Sequence, residues 1–248
     1  MKRLMSVAIV GVLGLSPMAR AAELKVIAGG SLSAVMKELA PPFEKVSGYR
    51  LSIHFDSTPN IITRLNSDTA FDVVFVPIDV FKDSDAKLRF GQNSATDIAR
   101  VGYGVIVRAG APKPDISTPD ALKAALLAAP SVAFVPASAA GAYITKVIER
   151  LGISEEMKAK TKPQPAPTQI APAVAKGDAE LGVFLMNVLV APGVDLLGPF
   201  PGDLQQELVF TSAIAANTEE WDAAKAFIDY LKTPDAAAII KAAGMTPG

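Results

Sequence analysis

The chain has 248 residues, with 24 Lys and Arg against 25 Asp and Glu for a formal net charge of −1, no cysteine, one histidine and half of its residues hydrophobic. Without cysteine there is no disulfide framework, thiolate zinc site, Cys nucleophile or lipid-modified Cys anchor, and one histidine leaves little for a His-rich metal centre. A near-neutral chain also lacks the basic face that sequence-independent nucleic-acid binding requires, so neither a nucleic-acid partner nor a cofactor is expected.

Lys2 and Arg3 precede an uncharged apolar run, Leu4–Leu15, which is followed by Ser16-Pro17 and Ala19-Arg20-Ala21. The pattern predicts a secretory signal peptide over residues 1–21, because the run is too short for a membrane span of about 20 apolar residues. Cleavage after Ala21 would remove Lys2, Arg3 and Arg20, leaving 21 basic against 25 acidic residues and a net charge of −4. The expectation is an exported protein, free in the periplasm and monomeric.

Short apolar runs then alternate with amphipathic ones, which predicts strands separated by helices and an α/β fold with mainly parallel sheets. In chain order, the sequence predicts a strand at Leu24–Ala28 and a helix at Ser33–Val46 that Pro41 and Pro42 should kink or end early. Next come a strand at Arg50–Phe55, a helix at Asn60–Asn66, and strands at Asp72–Val76 and Arg100–Val107. They are followed by a helix at Thr118–Ala128, a strand at Ser131–Val135, and helices at Gly141–Leu151 and Thr168–Lys176. Strands at Leu181–Phe184 and Leu208–Ala215 precede the last helices, Thr218–Leu231 and Asp235–Ala243. Thr118 and Thr218 have the chemistry of helix caps, and Lys162–Pro167 reads as a short extended connector.

Arg100–Gly110 and Leu208–Ala216 have the character of crossings between two lobes. They predict a discontinuous lobe one, residues 22–107 plus 208–248, and a lobe two of residues 108–207, with a ligand cleft between them.

In open α/β sheets ligands bind beyond the carboxyl ends of strands, where helix N-termini converge. Ala28-Gly29-Gly30-Ser31-Leu32-Ser33 and Asp56-Ser57-Thr58-Pro59-Asn60 are two such junctions in lobe one, and Pro136–Gly141 is a third in lobe two. Glycine permits close approach of the backbone, serine and threonine supply hydroxyls, and the first-turn N–H groups favour an anion without Lys or Arg. Each junction by itself equally suits a plain helix cap or tight turn. The P-loop, dinucleotide-fold, zinc-protease and serine-hydrolase motifs are absent from the sequence.

The order of Ala28-Gly29-Gly30-Ser31-Leu32, Phe55-Asp56-Ser57-Thr58, Asp72-Val73-Val74-Phe75, Pro136–Gly141, Lys176-Gly177-Asp178-Ala179-Glu180-Leu181-Gly182-Val183 and Phe227–Ala237 resembles the periplasmic molybdate-binding proteins of ABC importers. The resemblance covers essentially the whole chain after residue 21. It implies a two-lobed type II periplasmic binding fold, a small anionic ligand, and an inner-membrane ABC permease as partner. By that resemblance Gly30 and Ser31 hold the ligand from the first junction and Ser57 and Thr58 from the second. Ala140 and Gly141 would do so from the start of the lobe-two helix. A further backbone donor falls on Pro167 or Thr168, and Leu185 stands where the family has a tyrosine. Proline has no N–H and leucine no hydroxyl, so two donors are missing from the family pattern.

The run Val105–Ser117 also resembles a divergent branch of the family that includes aconitate isomerases. That branch implies an alternative function, an exported isomerase acting on a small tricarboxylate, which needs a positioned base and donors for the carboxylates. His54, Asp56 and Arg64 are the catalytic candidates, with Arg108 and Tyr143 also near the predicted cleft. Their simpler roles are a solvent-facing strand residue for His54, a turn or capping residue for Asp56 and a solvated helix face for Arg64.

Overall fold

The computed structural model describes residues 23–67 and 69–248; the predicted signal peptide at 1–21 lies outside the described residues. In chain order the first elements are β1 (Glu23–Gly29), α1 (Ser33–Ser47), β2 (Arg50–Asp56), α2 (Thr58–Leu65), β3 (Val73–Pro77), α3 (Ser84–Leu88) and β4 (Thr96–Arg108). They are followed by α4 (Pro119–Ala128), β5 (Val132–Phe134), α5 (Ala139–Arg150), α6 (Ser154–Lys160), β6 (Thr161–Pro163), α7 (Ile170–Lys176) and β7 (Leu181–Leu185). The chain ends with α8 (Met186–Leu189), β8 (Val194–Pro199), β9 (Glu207–Ile214), α9 (Trp221–Leu231), α10 (Pro234–Ala242) and β10 (Thr246–Pro247).

The strands pair in the order β2-β1-β3-β9-β4-β7-β5-β6, with β8 and β10 also pairing β4. The predicted parallel pairings are those of β1 with β2 and β3, and of β5 with β6 and β7. β4 and β9 run antiparallel to their partners. The reason is topological: these long strands join two groups of βα units and meet neighbours from both.

β4 is longer than its apolar run predicts because its first half, Thr96–Gly102, finds β9, while Tyr103–Val107 pair with β7. At the changeover Tyr103 N–H donates to Gln205 Oε1 and Gln205 Nε2 donates back to the Tyr103 carbonyl, each at 3.0 Å. Gly102 makes room for this, since a Cβ there would lie 2.7 Å from Gln205 Nε2.

Pro41 and Pro42 do not end α1, which continues to Ser47 and stops at Gly48 in the left-handed conformation. The carbonyls the prolines leave without intrahelical donors belong to Lys37 and Glu38, both exposed. The opposite face buries Val35, Met36, Leu39 and Phe43, and Phe43 packs on Phe227 with ring centroids 4.7 Å apart.

The predicted helix at Thr218 starts instead at Trp221. The Thr218 hydroxyl donates to Asp72 Oδ1 at 2.6 Å and accepts from Glu220 N–H at 3.0 Å, forming a turn ahead of the helix. Thr118 does cap its helix, accepting from Ala121 N–H. The first residues of the predicted connector at Lys162 pair with β5 as β6. The sequence pattern misses α3, α6, α8, β8 and β10, all short elements, and the partner of β8 and β10, β4, is remote in the chain.

We predict that Gln205→Ala, which leaves the Tyr103 N–H without its partner while Phe200 N–H still donates to the Tyr103 carbonyl, lowers stability by about 1–3 kcal/mol, measured as a lower urea midpoint with an unchanged slope.

Candidate functional site

Three strand ends converge on one cleft. After β1, Gly30–Leu32 form a 3-10 turn that runs directly into α1, and no side chain caps either segment. After β2, Ser57 occupies the N-cap position of α2 in extended geometry, again without a side-chain bond to the helix, and Pro59 sits in the first turn. The Asp56 carboxylate organises that junction. Its Oδ1 accepts from Ser57 N–H and from Asn60 Nδ2, both at 2.7 Å, and its Oδ2 lies 3.4 Å from His54 Nε2. Among the described residues the hydroxyls of Ser31, Ser57 and Thr58 are therefore not engaged in capping, contrary to the simplest use of such residues.

The third junction follows β5. Ser138 Oγ donates to the Val135 carbonyl at 2.8 Å and accepts from Gly141 N–H at 2.9 Å, a true cap on α5. Gly141 permits this turn, because a Cβ at that position would lie 1.9 Å from the Val135 carbonyl oxygen.

Together these junctions line a cavity of about 350 Å³, a volume that includes its opening to solvent. Gly30 and Ser31 come from the first, Ser57 and Thr58 from the second and Ala139 and Ala140 from the third, with Phe210 and Pro167 completing the walls. Gly30 and Pro167 lie close together across the cavity, since a Cβ on Gly30 would sit 3.5 Å from Pro167 Cδ. No Lys, Arg or His is among the lining residues. The N-terminal ends of α1, α2 and α5 border the cavity and bring the positive ends of their helix dipoles to it, beside the Asp56 carboxylate that also lines it.

Five of the eight predicted ligand residues, Gly30, Ser31, Ser57, Thr58 and Ala140, thus come together. The other three do not line this cavity. The Gly141 N–H is taken up by Ser138 Oγ. Thr168 faces a separate groove that it shares with α1, Asn187 and α10. Leu185 is fully buried in β7 opposite Tyr103, because an apolar side chain there gains more from the core than from a polar cleft.

Of the catalytic candidates, Asp56 lines the cavity, and it also lines an open outer groove together with Arg64. Arg64 Nε is buried without a hydrogen-bond partner among the described residues. The His54 side chain is about half exposed on β2. Burial pushes the Asp56 carboxyl up, but the bonds from Asn60, Ser57 N–H and His54 together outweigh it and hold the group below its ordinary value. Tyr143 spends its hydroxyl on the Leu204 carbonyl, 2.8 Å away, and its ring lies 4.7 Å from that of Tyr103. Arg108 ends β4 and does not line the cavity.

Sequence reasoning missed the individual part played by Ser138. It also missed Asn187, whose Nδ2 donates to the Ser31 carbonyl at 2.8 Å and so links the end of β7 to the first junction. A Ser three residues ahead of a glycine early in a helix is a readable cap signal; a lone Asn after a strand carries none.

The family model described as bacterial extracellular solute-binding protein matches residues 24–246. The chain belongs to this family. An aconitate isomerase from a Pseudomonas species is 32% identical to this solute-binding protein over 231 residues, covering 90% of this chain and 87% of the relative. The molybdate-binding protein ModA of Azotobacter vinelandii is 28% identical over 230 residues, covering 91% and 90%. Among solved structures, the periplasmic molybdate-binding protein of Azotobacter vinelandii superposes with a TM-score of 0.75 at 22% identity, covering 90% of this chain and 98% of that one. This likeness confirms the type II periplasmic binding fold of the solute-binding protein.

Two outcomes are expected at the junctions. Gly141→Ala should cost about 1–3 kcal/mol by forcing α5 away from Val135, seen as a lower melting temperature. For Asp56, a folded-state pKa below the unfolded one means that its bonds stabilise the protein above the ordinary aspartate value of about 3.9 and lose that effect as pH falls through the depressed value. Melting temperatures of the native protein and Asp56→Ala should differ near pH 7 and draw together only as pH falls through the depressed value, below the ordinary aspartate range.

Proposed function

We propose that this solute-binding protein captures a small anion, a molybdate-like oxyanion or a small organic acid, and presents it to an ABC permease in the inner membrane. One observation carries the proposal: unengaged hydroxyls and the N-termini of three helices meet at a single cavity whose lining holds no basic side chain. In this reading residues 1–21 direct export to the periplasm, and the mature protein acts there as a monomer. Ser31, Ser57 and Thr58 donate hydroxyls, and Gly30 and Ala140 offer backbone N–H groups. Lobe one, 22–107 plus 208–248, closes on lobe two, 108–207, by bending in β4 and β9. Donors from both lobes meet the ligand only in the closed form, so ligand shifts the population towards closure.

The test is a thermal-shift screen against molybdate, tungstate, sulfate, phosphate and small carboxylates. A ligand at 100 times its Kd should add about 2.7 kcal/mol. Ser31→Ala and Thr58→Ala should each weaken binding roughly 10- to 100-fold, the range expected when a hydrogen bond to a charged group is lost. Unchanged affinity in the double variant overturns the site assignment.

The relative at 32% identity is named an aconitate isomerase, which favours a second reading in which His54, Asp56 and Arg64 serve proton transfer on a tricarboxylate. It predicts conversion of cis- to trans-aconitate, followed by ultraviolet absorbance. No turnover at high protein concentration removes it.

A further inference from the structure

The cavity is not closed on its outer side. Thr58, Ser138, Ala139 and Leu208 line both it and a larger chamber of about 1120 Å³, a volume that includes the opening to solvent. The chamber lies between two helix faces. On α5 its wall is Ala139, Ala142, Tyr143 and Lys146, spaced so that they share one side of the helix. On α2 it is Thr58, Pro59 and Ile62, with the same spacing, and Ile78, 42% exposed, stands beside them.

Both spaces expose more carbon than polar surface, and they differ in which polar groups they offer. The inner cavity is bounded by hydroxyls, helix N-termini, the Asp56 carboxylate and Phe210, and its Pro167 wall has no N–H to give. The chamber presents mostly carbon. Tyr143 has its hydroxyl committed to Leu204, leaving the ring to face a ligand, and Tyr103 packs against that ring. One cation stands in this wall, Lys146, which makes no ion pair among the described residues; of the two carboxylates there, Asp79 is bonded to Lys82 and Glu207 has no ion pair among the described residues. A bare tetrahedral oxyanion would use only the inner cavity and would leave a carbon-lined chamber wet. A carboxylate has two oxygens to satisfy, which suits a cavity with fewer donors, and it carries a carbon skeleton that displaces water from apolar walls.

Building on the small-anion reading above, we propose that the solute is an organic acid, its carboxylate held by Ser31 and Thr58 and its carbon skeleton lying between α2 and α5. A skeleton bearing a second carboxylate would bring that group to Lys146.

The test is calorimetric titration of the purified protein with acetate, butyrate, hexanoate, benzoate, tricarballylate, sulfate and molybdate, repeated on Ala142→Trp and Lys146→Gln. Both substitutions lie at exposed positions of α5, and circular dichroism melts check that both variants remain folded. Affinity should rise about fourfold per buried methylene from acetate to hexanoate, or should favour tricarballylate over acetate by at least tenfold. Ala142→Trp, which fills the chamber, should lower binding of the larger acid tenfold or more and change acetate binding less than twofold. Lys146→Gln tells the two kinds of acid apart, weakening tricarballylate more than hexanoate if the second carboxylate is read. If no larger acid binds more tightly than acetate, or if Ala142→Trp affects all ligands equally, the proposal is overturned. Binding of molybdate or sulfate with no carboxylate binding overturns it while leaving the small-anion reading intact. Binding of no anion at all overturns both.

Discussion

Strand β4 must satisfy its backbone on both sides of the molecule at once, and the rest of the structure depends on how it does so. It gives up β9 at Gly102 and takes up β7 at Tyr103. At that step the Gln205 amide both donates to and accepts from the Tyr103 backbone. A buried peptide group left unpaired there would cost more than most single contacts supply. The Tyr103 ring, placed by the same step, packs on Tyr143 of α5 and on Phe200. The strand that joins the two groups of βα units thus also sets the floor of the space between them.

The cleft brings hydroxyls and helix N-termini together with no basic side chain in its lining, in a protein that carries a net negative charge. Lys and Arg would bind anions of many shapes, whereas neutral donors fixed on rigid elements reward only a group whose acceptors match their positions. Each donor must then be left free by its own junction. Asp56 frees the hydroxyls beside it by taking over the turn itself, accepting from Ser57 N–H and Asn60. Ser138 does the opposite, since it spends its hydroxyl as a cap and leaves the donor role at that junction to backbone N–H groups. Similar strand-to-helix sequences can therefore serve a ligand through different atoms.

Most of the fold was legible because its long elements carry their own periodicity. β1, β2, β3, β7 and β9 and the helices α1, α2, α4, α5, α7 and α10 fall within a few residues of their predicted positions. The departures have identifiable causes. α1 survives two prolines because its apolar face is buried and the unserved carbonyls lie on the solvent side. β8 and β10 exist only as partners of β4, and no local pattern marks a strand whose stability comes entirely from a distant neighbour.

The sequence by itself determined the α/β class, the three glycine- and hydroxyl-bearing junctions and their order along the chain, since all of these follow from residue chemistry and local period. Only the tertiary structure decided which of those groups face the cleft. Gly141 is needed because a Cβ would strike the Val135 carbonyl, Leu185 turns into the core, and Thr168 faces another groove. The chamber between α2 and α5 likewise depends on how two helices far apart in sequence are set against each other. Orientation of that kind is fixed by packing across the whole molecule, and no single segment encodes it. The opening charge balance, near zero for the full chain and −4 once residues 1–21 are set aside, therefore says little about which groups line the cleft; packing sets that.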